Sequence, residues 1–122
     1  MIKIVEMDEK VTLLEQSEDN IGPVILINKF NVDHDKVMEF LEAWTNDASF
    51  FKQQPGLISA QLHRGIGKSS VFLNYAVWDS TENFRKAINR PEFRARLEKY
   101  PNGTVASPHL FKKLAIPGIC EG

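Results

Sequence analysis

Apolar and polar residues recur with regular periods along the chain, and these periods predict its first strand and its first long helix. Residues 24–31 are β-branched and aromatic and follow Gly22-Pro23, which is typical of a strand. Apolar side chains then recur at steps of three, four and seven over residues 37–51, which predicts an amphipathic helix. Pro55-Gly56 is expected to end this helix, because proline cannot continue the hydrogen-bond ladder.

The second half of the chain carries signals for two strands, two short helices and a final strand. Residues 57–64 and 71–79 have strand composition and flank a turn-forming segment, which predicts a β-hairpin. A helix capped by Asp79 or Ser80 follows, and Pro91 is expected to interrupt it and begin another. The last strand is expected at about residues 109–116.

The order strand, helix, strand, strand, helix, strand predicts a ferredoxin-like α+β domain with a four-stranded antiparallel sheet. We expect this domain at residues 23–116, with an N-terminal extension at residues 1–22 and a tail at residues 117–122. The extension admits two interpretations. Residues 2–7 and 11–16 fit a small hairpin, whereas residues 11–18 fit a helical turn or two equally well.

The alternation within the predicted strands makes both faces of the sheet largely apolar. In residues 71–79, Leu73 and Tyr75 point to one face, whereas Asn74 and Ala76 point to the other. Helices are expected to cover one face, and an antiparallel sheet tolerates water on its other face only where that face is polar. We therefore expect a second sheet from an identical subunit, related by a two-fold axis.

Charge and cysteine content narrow the function classes. The 15 basic and 16 acidic residues give a net charge of -1, so no charge excess favours nucleic acid, and no apolar run is long enough to span a membrane. The single cysteine, Cys120, cannot form an intrachain disulfide, and we find no targeting segment, so the cytoplasm is the expected location. The three histidines lack metal-ligand spacing, and no metal is expected.

Three side chains with polar atoms lie on strand faces that are otherwise apolar: Asn28, Asn74 and Trp78. Each amide could simply bond a neighbouring backbone group, and the indole could be core. The alternative is a pocket between sheet and helices, in which the amides and the indole N–H point at the oxygens of a flat apolar ligand. The expected apolar lining of this pocket comprises Phe72, Phe84, Trp44, Phe93 and Leu97.

Some of these residues also carry a resemblance to a known family. The segment from Phe72 to Ser80, with Phe84, the run Arg90-Pro-Glu-Phe93 and the turn Gln54-Pro-Gly-Leu57, resembles the antibiotic biosynthesis monooxygenase-like family. The resemblance covers roughly residues 23–115 and implies a homodimer that forms a dimeric α/β barrel.

Two branches of that family match different residues of this chain. In the quinone-forming branch, an asparagine and a tryptophan at the positions of Asn74 and Trp78 line the substrate pocket, and a tyrosine falls at Phe84, which has no hydroxyl. In the haem-degrading branch, an asparagine matches Asn28, but the axial histidine falls at about Leu97, which cannot ligate iron. The resemblance therefore favours the quinone-forming branch over haem degradation.

What the resemblance implies is an oxidation that needs no cofactor and takes molecular oxygen as co-substrate. An ionised electron-rich phenol can itself reduce dioxygen, so the protein only has to hold the ring, exclude water and stabilise negative charge. Asn74, Trp78 and Asn28 are the expected catalytic residues, and the expected substrate is a small phenolic or polycyclic aromatic compound. No general base is evident, and His63 is the one candidate. A non-catalytic homodimer that binds a small molecule in the same pocket is the second hypothesis, which Phe84 favours.

Overall fold

The structure is a computed structural model, and it describes residues 2–122. The strands are β1 (Lys3–Ile4), β2 (Val24–Asn31), β3 (Leu57–Arg64), β4 (Val71–Trp78) and β5 (Val105–Phe111). The helices are α1 (Leu13–Ser17), α2 (Val37–Lys52), α3 (Thr81–Ile88) and α4 (Pro91–Leu97), and a 3-10 turn at His34–Lys36 leads into α2. None of the helices in this part of the chain combines the length and the apolar character needed to cross a membrane.

The strands form one sheet in the order β1-β5-β2-β4-β3. β2 pairs antiparallel with β4 and with β5, and β3 pairs antiparallel with β4. These four strands have the ferredoxin-like arrangement that the sequence predicts, and the α+β fold class is confirmed. β1 is an addition to the predicted four strands, because Lys3 and Ile4 pair in parallel with β5.

Local sequence explains where the helices begin and end. α2 ends shortly before Gly56, whose φ of +96° lets the chain turn into β3. The hydroxyl of Ser80 accepts a hydrogen bond from the backbone N–H of Asn83 at 3.1 Å and so caps α3. Pro91 lies in the first turn of α4, where a backbone N–H has no partner within the helix.

The last strand lies earlier in the chain than predicted. The sequence analysis expects it at about residues 109–116, whereas β5 ends at Phe111. Its buried positions alternate at Ala106, Pro108 and Leu110, so a proline occupies the middle of the inward-facing row. A proline inside an apparent strand argues against a strand, and this is why the sequence places the strand too late.

Pro108 is tolerated because its nitrogen lies on the side of β5 that faces away from β2. The carbonyl of Ala106 accepts a hydrogen bond from the N–H of Val5, and the N–H of Leu110 donates to Oε1 of Gln16. Backbone groups two residues apart in a strand point the same way, so Pro108 shares this outward orientation. The missing N–H therefore removes no hydrogen bond between β5 and β2.

The N-terminal segment packs along β5, so the hairpin interpretation is wrong and the helical one agrees with the structure. The N–H of Lys3 donates to the carbonyl of Thr104 at 2.9 Å, which holds β1 against β5. Thr12 caps α1, and Gln16 of that helix bonds both the N–H and the carbonyl of Leu110, each at 2.9 Å. The limits predicted for the domain, residues 23–116, and for the tail, residues 117–122, remain predictions.

Two buried clusters form the core between the sheet and the helices. In the first, the ring of Phe40 on α2 lies 5.0 Å from that of Phe30 and 4.8 Å from that of Phe72, measured between centroids. In the second, Trp78 lies 5.7 Å from Phe84 on α3. The two clusters lie at opposite ends of β2 and β4, and the middle of these strands separates them.

The opposite face of the sheet keeps its apolar character without a covering element from residues 2–122. Val71, Tyr75 and Phe111 on this face remain 37–40 % exposed. We call it the outer face, and the face under the helices the inner face. Exposed apolar area of this kind fits the partner sheet that the strand alternation leads us to expect.

Candidate active site

The site lies between the two core clusters, over the middle of the inner face. Asn28 on β2 pairs directly with Asn74 on β4 and, on its other side, with Pro108 on β5. The next row of the sheet pairs Phe30 with Phe72. Two amides therefore lie side by side at the centre of an apolar surface, because side chains of directly paired residues lie on the same face.

A cavity of about 240 Å³ lies over this central row. Short side chains leave the space open, and four alanines from three strands and α2 contribute to the lining: Ala48, Ala60, Ala76 and Ala106. Pockets for drug-sized ligands usually measure about 300–1,000 Å³. The volume therefore suits a small ligand.

Aromatic side chains form one wall of the cavity. Phe51 meets Trp78 edge-on, with ring centroids 5.9 Å apart and planes at 89°, and its centroid lies 5.0 Å from that of Phe93. Trp78 meets Phe84 at 74°. All four residues line the cavity, and their rings offer a flat apolar ligand both stacking and edge contacts.

Three buried polar atoms in the lining have no hydrogen-bond partner: Oδ1 of Asn28, Oδ1 of Asn74 and Nε1 of Trp78. Leaving such a group unpaired costs about 1–3 kcal/mol. The amide oxygens do not make the backbone hydrogen bonds that a purely structural role requires. They offer two acceptors, and the indole offers one donor, to a molecule in the cavity.

A fourth unpaired atom in the lining belongs to a carboxyl group. Asp47 on α2 is 8 % exposed, its Oδ1 has no partner, and its Oδ2 accepts a hydrogen bond from the hydroxyl of Tyr100 at 2.9 Å. Burial raises the pKa of Asp47 to about 6, although the hydrogen bond from Tyr100 and the charge of Arg96 lower it. Burial and the neighbouring carboxyl raise the pKa of Tyr100, so the tyrosine stays the proton donor.

The structure places most of the predicted site residues around this one cavity. The lining contains seven of them: Asn28, Asn74, Trp78, Trp44, Phe84, Phe93 and Leu97. Phe72 does not line the cavity, because its ring packs against that of Phe40 in the first core cluster. His63 lies outside the cavity too: it is exposed, and its Nδ1 is 3.3 Å from the carbonyl of Leu73.

Sequence reasoning missed two parts of the site. Asp47 carries a charge, which favours a solvent-facing position on a helix, yet its spacing from Trp44 and Phe51 puts it on the apolar stripe of α2. That spacing is the signal that identifies it. Ile2 and Leu13 also line the cavity, and nothing in the sequence near them indicates a contact with β5.

The residues around the cavity do not fit a haem. Among residues 2–122, no group of three or more His, Cys, Asp or Glu side chains is placed to hold a metal ion. The lining described in that range contains no His, Cys or Met, and Leu97, where the resemblance to the haem-degrading branch leads us to expect the axial ligand, has no atom that can ligate iron. Tyrosine can also ligate haem iron, and Tyr100 lines the cavity. Its hydroxyl, however, donates a hydrogen bond to Asp47.

Fold and cavity together define a ferredoxin-like α+β protein with an apolar ligand site that carries a few unpaired polar atoms. The sequence profile of the antibiotic biosynthesis monooxygenases matches residues 23–99, and the chain belongs to this family. The resemblance drawn from the sequence is confirmed.

Three relatives illustrate the likeness. Deoxynogalonate monooxygenase from Streptomyces nogalater is 36 % identical over 70 residues, which are 57 % of this chain and 58 % of that protein, so the match spans less than two thirds of the relative. The crystal structure of SnoaB, a cofactor-independent oxygenase from Streptomyces nogalater, superposes with a TM-score of 0.72 at 28 % identity, covering 80 % of this chain and 99 % of that one. A candidate monooxygenase from Shewanella loihica PV-4 superposes with a TM-score of 0.68 at 32 % identity, with the same two coverages.

Proposed function

We propose that this protein is a cofactor-independent monooxygenase that oxidises a small phenolic or polycyclic aromatic compound to a quinone. The observation that carries the proposal is the meeting of Oδ1 of Asn28, Oδ1 of Asn74 and Nε1 of Trp78, all buried and unpaired, on one apolar cavity. Membership of the family and the likeness to a cofactor-independent oxygenase support it.

In this proposal the aromatic wall holds the ring of the substrate and the polar atoms hold its oxygen. A substrate hydroxyl donates a hydrogen bond to the amide oxygen of Asn28 or Asn74, and the indole N–H of Trp78 donates to an oxygen on which negative charge develops. Each of these hydrogen bonds is stronger in a cavity from which the substrate has displaced water than it is in bulk solvent.

The electrons for the proposed reaction come from the substrate. An ionised hydroxyarene or anthrone passes one electron to dioxygen, and recombination of the two radicals forms a carbon–oxygen bond. Loss of water from the resulting peroxide converts the CH₂ group of the substrate into a carbonyl group. One oxygen atom enters the quinone and the other leaves as water, so the balance requires no external reductant.

We also propose that the protein acts in the cytoplasm as a homodimer that forms a dimeric α/β barrel through its outer faces. The partly exposed apolar residues of that face, with Tyr75 near its middle, supply the surface for a second copy. The single cysteine, Cys120, is exposed and unpaired, which suits a reducing compartment.

A second function, binding without oxidation, is favoured by one residue. Phe84 is 2 % exposed and lines the cavity, at the position where the quinone-forming branch has a tyrosine. If turnover requires that phenolic hydroxyl, the same cavity binds an aromatic molecule and releases it unchanged.

The test is oxygen uptake by the purified protein in the presence of anthrone, compared with the spontaneous rate. We expect the wild-type protein to accelerate uptake, and Asn74→Leu to lower that acceleration by roughly 10-fold, because the hydroxyl of the enol tautomer loses a hydrogen bond worth about 1.5 kcal/mol. Asn46→Leu is the matched control, because it makes the same change at an exposed position of α2.

The outcomes separate the two functions. Acceleration that falls with Asn74→Leu and survives Asn46→Leu supports the oxygenase. A raised melting temperature with anthrone but no acceleration, across a panel of anthrones and hydroquinones, supports binding without turnover and contradicts the oxygenase.

A further inference from the structure

Asp47 is an acidic residue on the inward-facing stripe of α2. It follows Trp44 and precedes Ala48, and all three residues line the cavity. A carboxyl group in such apolar surroundings is expensive to ionise and is retained only where something compensates that cost. Tyr100 compensates part of it, through the hydrogen bond from its hydroxyl to Oδ2.

The two oxygens of this carboxyl group differ in their surroundings. Oδ2 is paired with Tyr100, which is itself 3 % exposed, whereas Oδ1 is buried and has no partner. One oxygen is therefore fixed in place by a rigid phenol, and the other keeps its lone pairs unused beside the cavity. This arrangement is that of a positioned proton acceptor.

We propose that Asp47 is the general base of this protein and that its Oδ1 accepts the proton of the phenolic or anthrone substrate. Tyr100 is a positioning residue, since it touches the carboxyl group and acts through it. The inference rests on the proposed oxygenase function, and it supplies the proton acceptor that the sequence leaves unassigned.

The proposed step balances as a simple proton transfer. The O–H bond of the hydroxyarene, or the acidic C–H bond of its anthrone tautomer, breaks and leaves its electron pair on the substrate. An O–H bond forms at Oδ1 of Asp47, and the negative charge moves from the carboxylate to the substrate. The carboxylate is restored when Asp47 gives this proton to the oxygen atom that leaves as water.

The electrostatic setting suits this role. The groups that act on Asp47 are Tyr100 and, from α4, Arg96, whose charge favours the carboxylate. With a pKa of about 6, Asp47 is mostly ionised at neutral pH, and its basicity still exceeds that of an ordinary aspartate.

The test compares Asp47→Asn with the wild-type protein in the oxygen-uptake assay with anthrone. We expect Asp47→Asn to lower kcat/KM by roughly 100-fold or more, because general base catalysis contributes about 10²–10⁴-fold. The wild-type rate should rise with pH through about 6, as Asp47 ionises, and the variant should lose this rise. Glu42→Gln, the same change at an exposed position of α2, should keep both the rate and the pH profile.

Two further measurements test Asp47 as the general base without relying on the rate of Asp47→Asn alone: the pH profile of Tyr100→Phe and an experiment without oxygen. Removing the hydroxyl of Tyr100 removes a hydrogen bond that lowers the pKa of Asp47, so the rise in rate should move to higher pH. In the absence of oxygen, the wild-type protein in D₂O should exchange the methylene hydrogens of anthrone faster than Asp47→Asn does, because this exchange requires the same proton transfer.

The results distinguish this inference from the function on which it rests. If wild-type protein accelerates oxygen uptake and Asn74→Leu lowers it, but Asp47→Asn keeps the wild-type rate and pH profile, the assignment of Asp47 is overturned and the oxygenase stands. If wild-type protein accelerates neither oxygen uptake nor the exchange of the anthrone hydrogens, both are overturned.

Discussion

The two faces of the sheet differ in the kind of contact that is missing from them: hydrogen bonds on the inner face and apolar packing on the outer face. On the inner face, Asn28, Asn74 and Trp78 are buried with polar atoms that have no hydrogen-bond partner. On the outer face, Tyr75 and Phe111 keep apolar surface exposed. In our proposal a small molecule with oxygen atoms fills the inner face, whereas a second copy of the chain covers the outer one.

Consecutive residues of β4 serve these two different needs, since side chains alternate between the faces of a strand. Asn74 and Tyr75 are neighbours in the chain, and so are Ala76 and Val77, and in each pair the first residue faces the cavity. Substitutions at adjacent positions can therefore alter one face and leave the other intact.

The largest effect is expected from a charge on the outer face. Tyr75→Asp would bury an unpaired carboxylate twice in a two-fold interface, and each charge costs about 3–5 kcal/mol, so the dissociation constant of the dimer should increase by roughly 10⁴-fold or more. Analytical ultracentrifugation measures this change. Tyr75→Phe, which keeps the ring, should remain dimeric, and a Tyr75→Asp protein that is still a dimer would show that the partner uses another surface.

The next effect concerns the charge on the inner face. The pKa of Asp47 in the folded protein is about 6, against an ordinary value of 3.8, so the folded state binds the proton more tightly than the unfolded state does. Wild-type stability should therefore fall as pH rises from about 4 to about 6, and Asp47→Asn should escape this loss.

At neutral pH the variant should be more stable by up to about 3 kcal/mol, and below about pH 4 the two proteins should match. Urea unfolding across this pH range measures the difference. Equal stability of the two proteins at all pH values would mean that Asp47 is better solvated than its burial indicates.

A smaller effect is expected from filling the cavity. Ala76→Leu adds a branched side chain to the lining, and anthraquinone, an oxidised analogue of the proposed substrates, should bind roughly 30-fold more weakly, which equals about 2 kcal/mol. Isothermal titration calorimetry gives the affinity. The control is Val77→Leu, which enlarges the neighbouring side chain on the outer face and should leave the affinity for anthraquinone unchanged. If both variants weaken binding equally, the ligand binds elsewhere.

The smallest effect is expected in the N-terminal segment. Leu13 lines the cavity from α1, whereas Leu14, the next residue, is 66 % exposed. Leu13→Ala should lower the free energy of unfolding by about 1–2 kcal/mol, because part of a leucine side chain loses its burial. Leu14→Ala should change it by less than about 0.5 kcal/mol. Similar values for both variants, from thermal unfolding, would mean that α1 does not form a wall of the cavity in solution.

Local signals in the sequence were sufficient to predict most of the fold. The strand pattern of residues 24–31, the apolar period of α2 and the cap at Ser80 all act over a few neighbouring residues, and the structure agrees with them. β5 was displaced because Pro108 argues against a strand, and only the orientation of its nitrogen within the sheet makes it acceptable.

The site was less predictable than the fold, because it depends on contacts between distant parts of the chain. The alternation of β2 and β4 put Asn28 and Asn74 on the inner face, and register then made them direct neighbours. The hydrogen bond between Asp47 and Tyr100 joins α2 to the segment that follows α4, and no local pattern encodes it. Phe72 was predicted to lie in the pocket because it shares a strand face with Asn74, but its ring packs against Phe40 and does not line the cavity.

The central claim is that the inner face holds an aromatic ring with its oxygen against the unpaired polar atoms. A crystal structure of the protein with anthraquinone tests this most directly. We predict the ring in the cavity beside Phe51 and Phe84, with a carbonyl oxygen within hydrogen-bond distance of the indole N–H of Trp78. Anthraquinone bound outside this cavity, or bound in it with Nε1 of Trp78 still unpaired, would contradict the account.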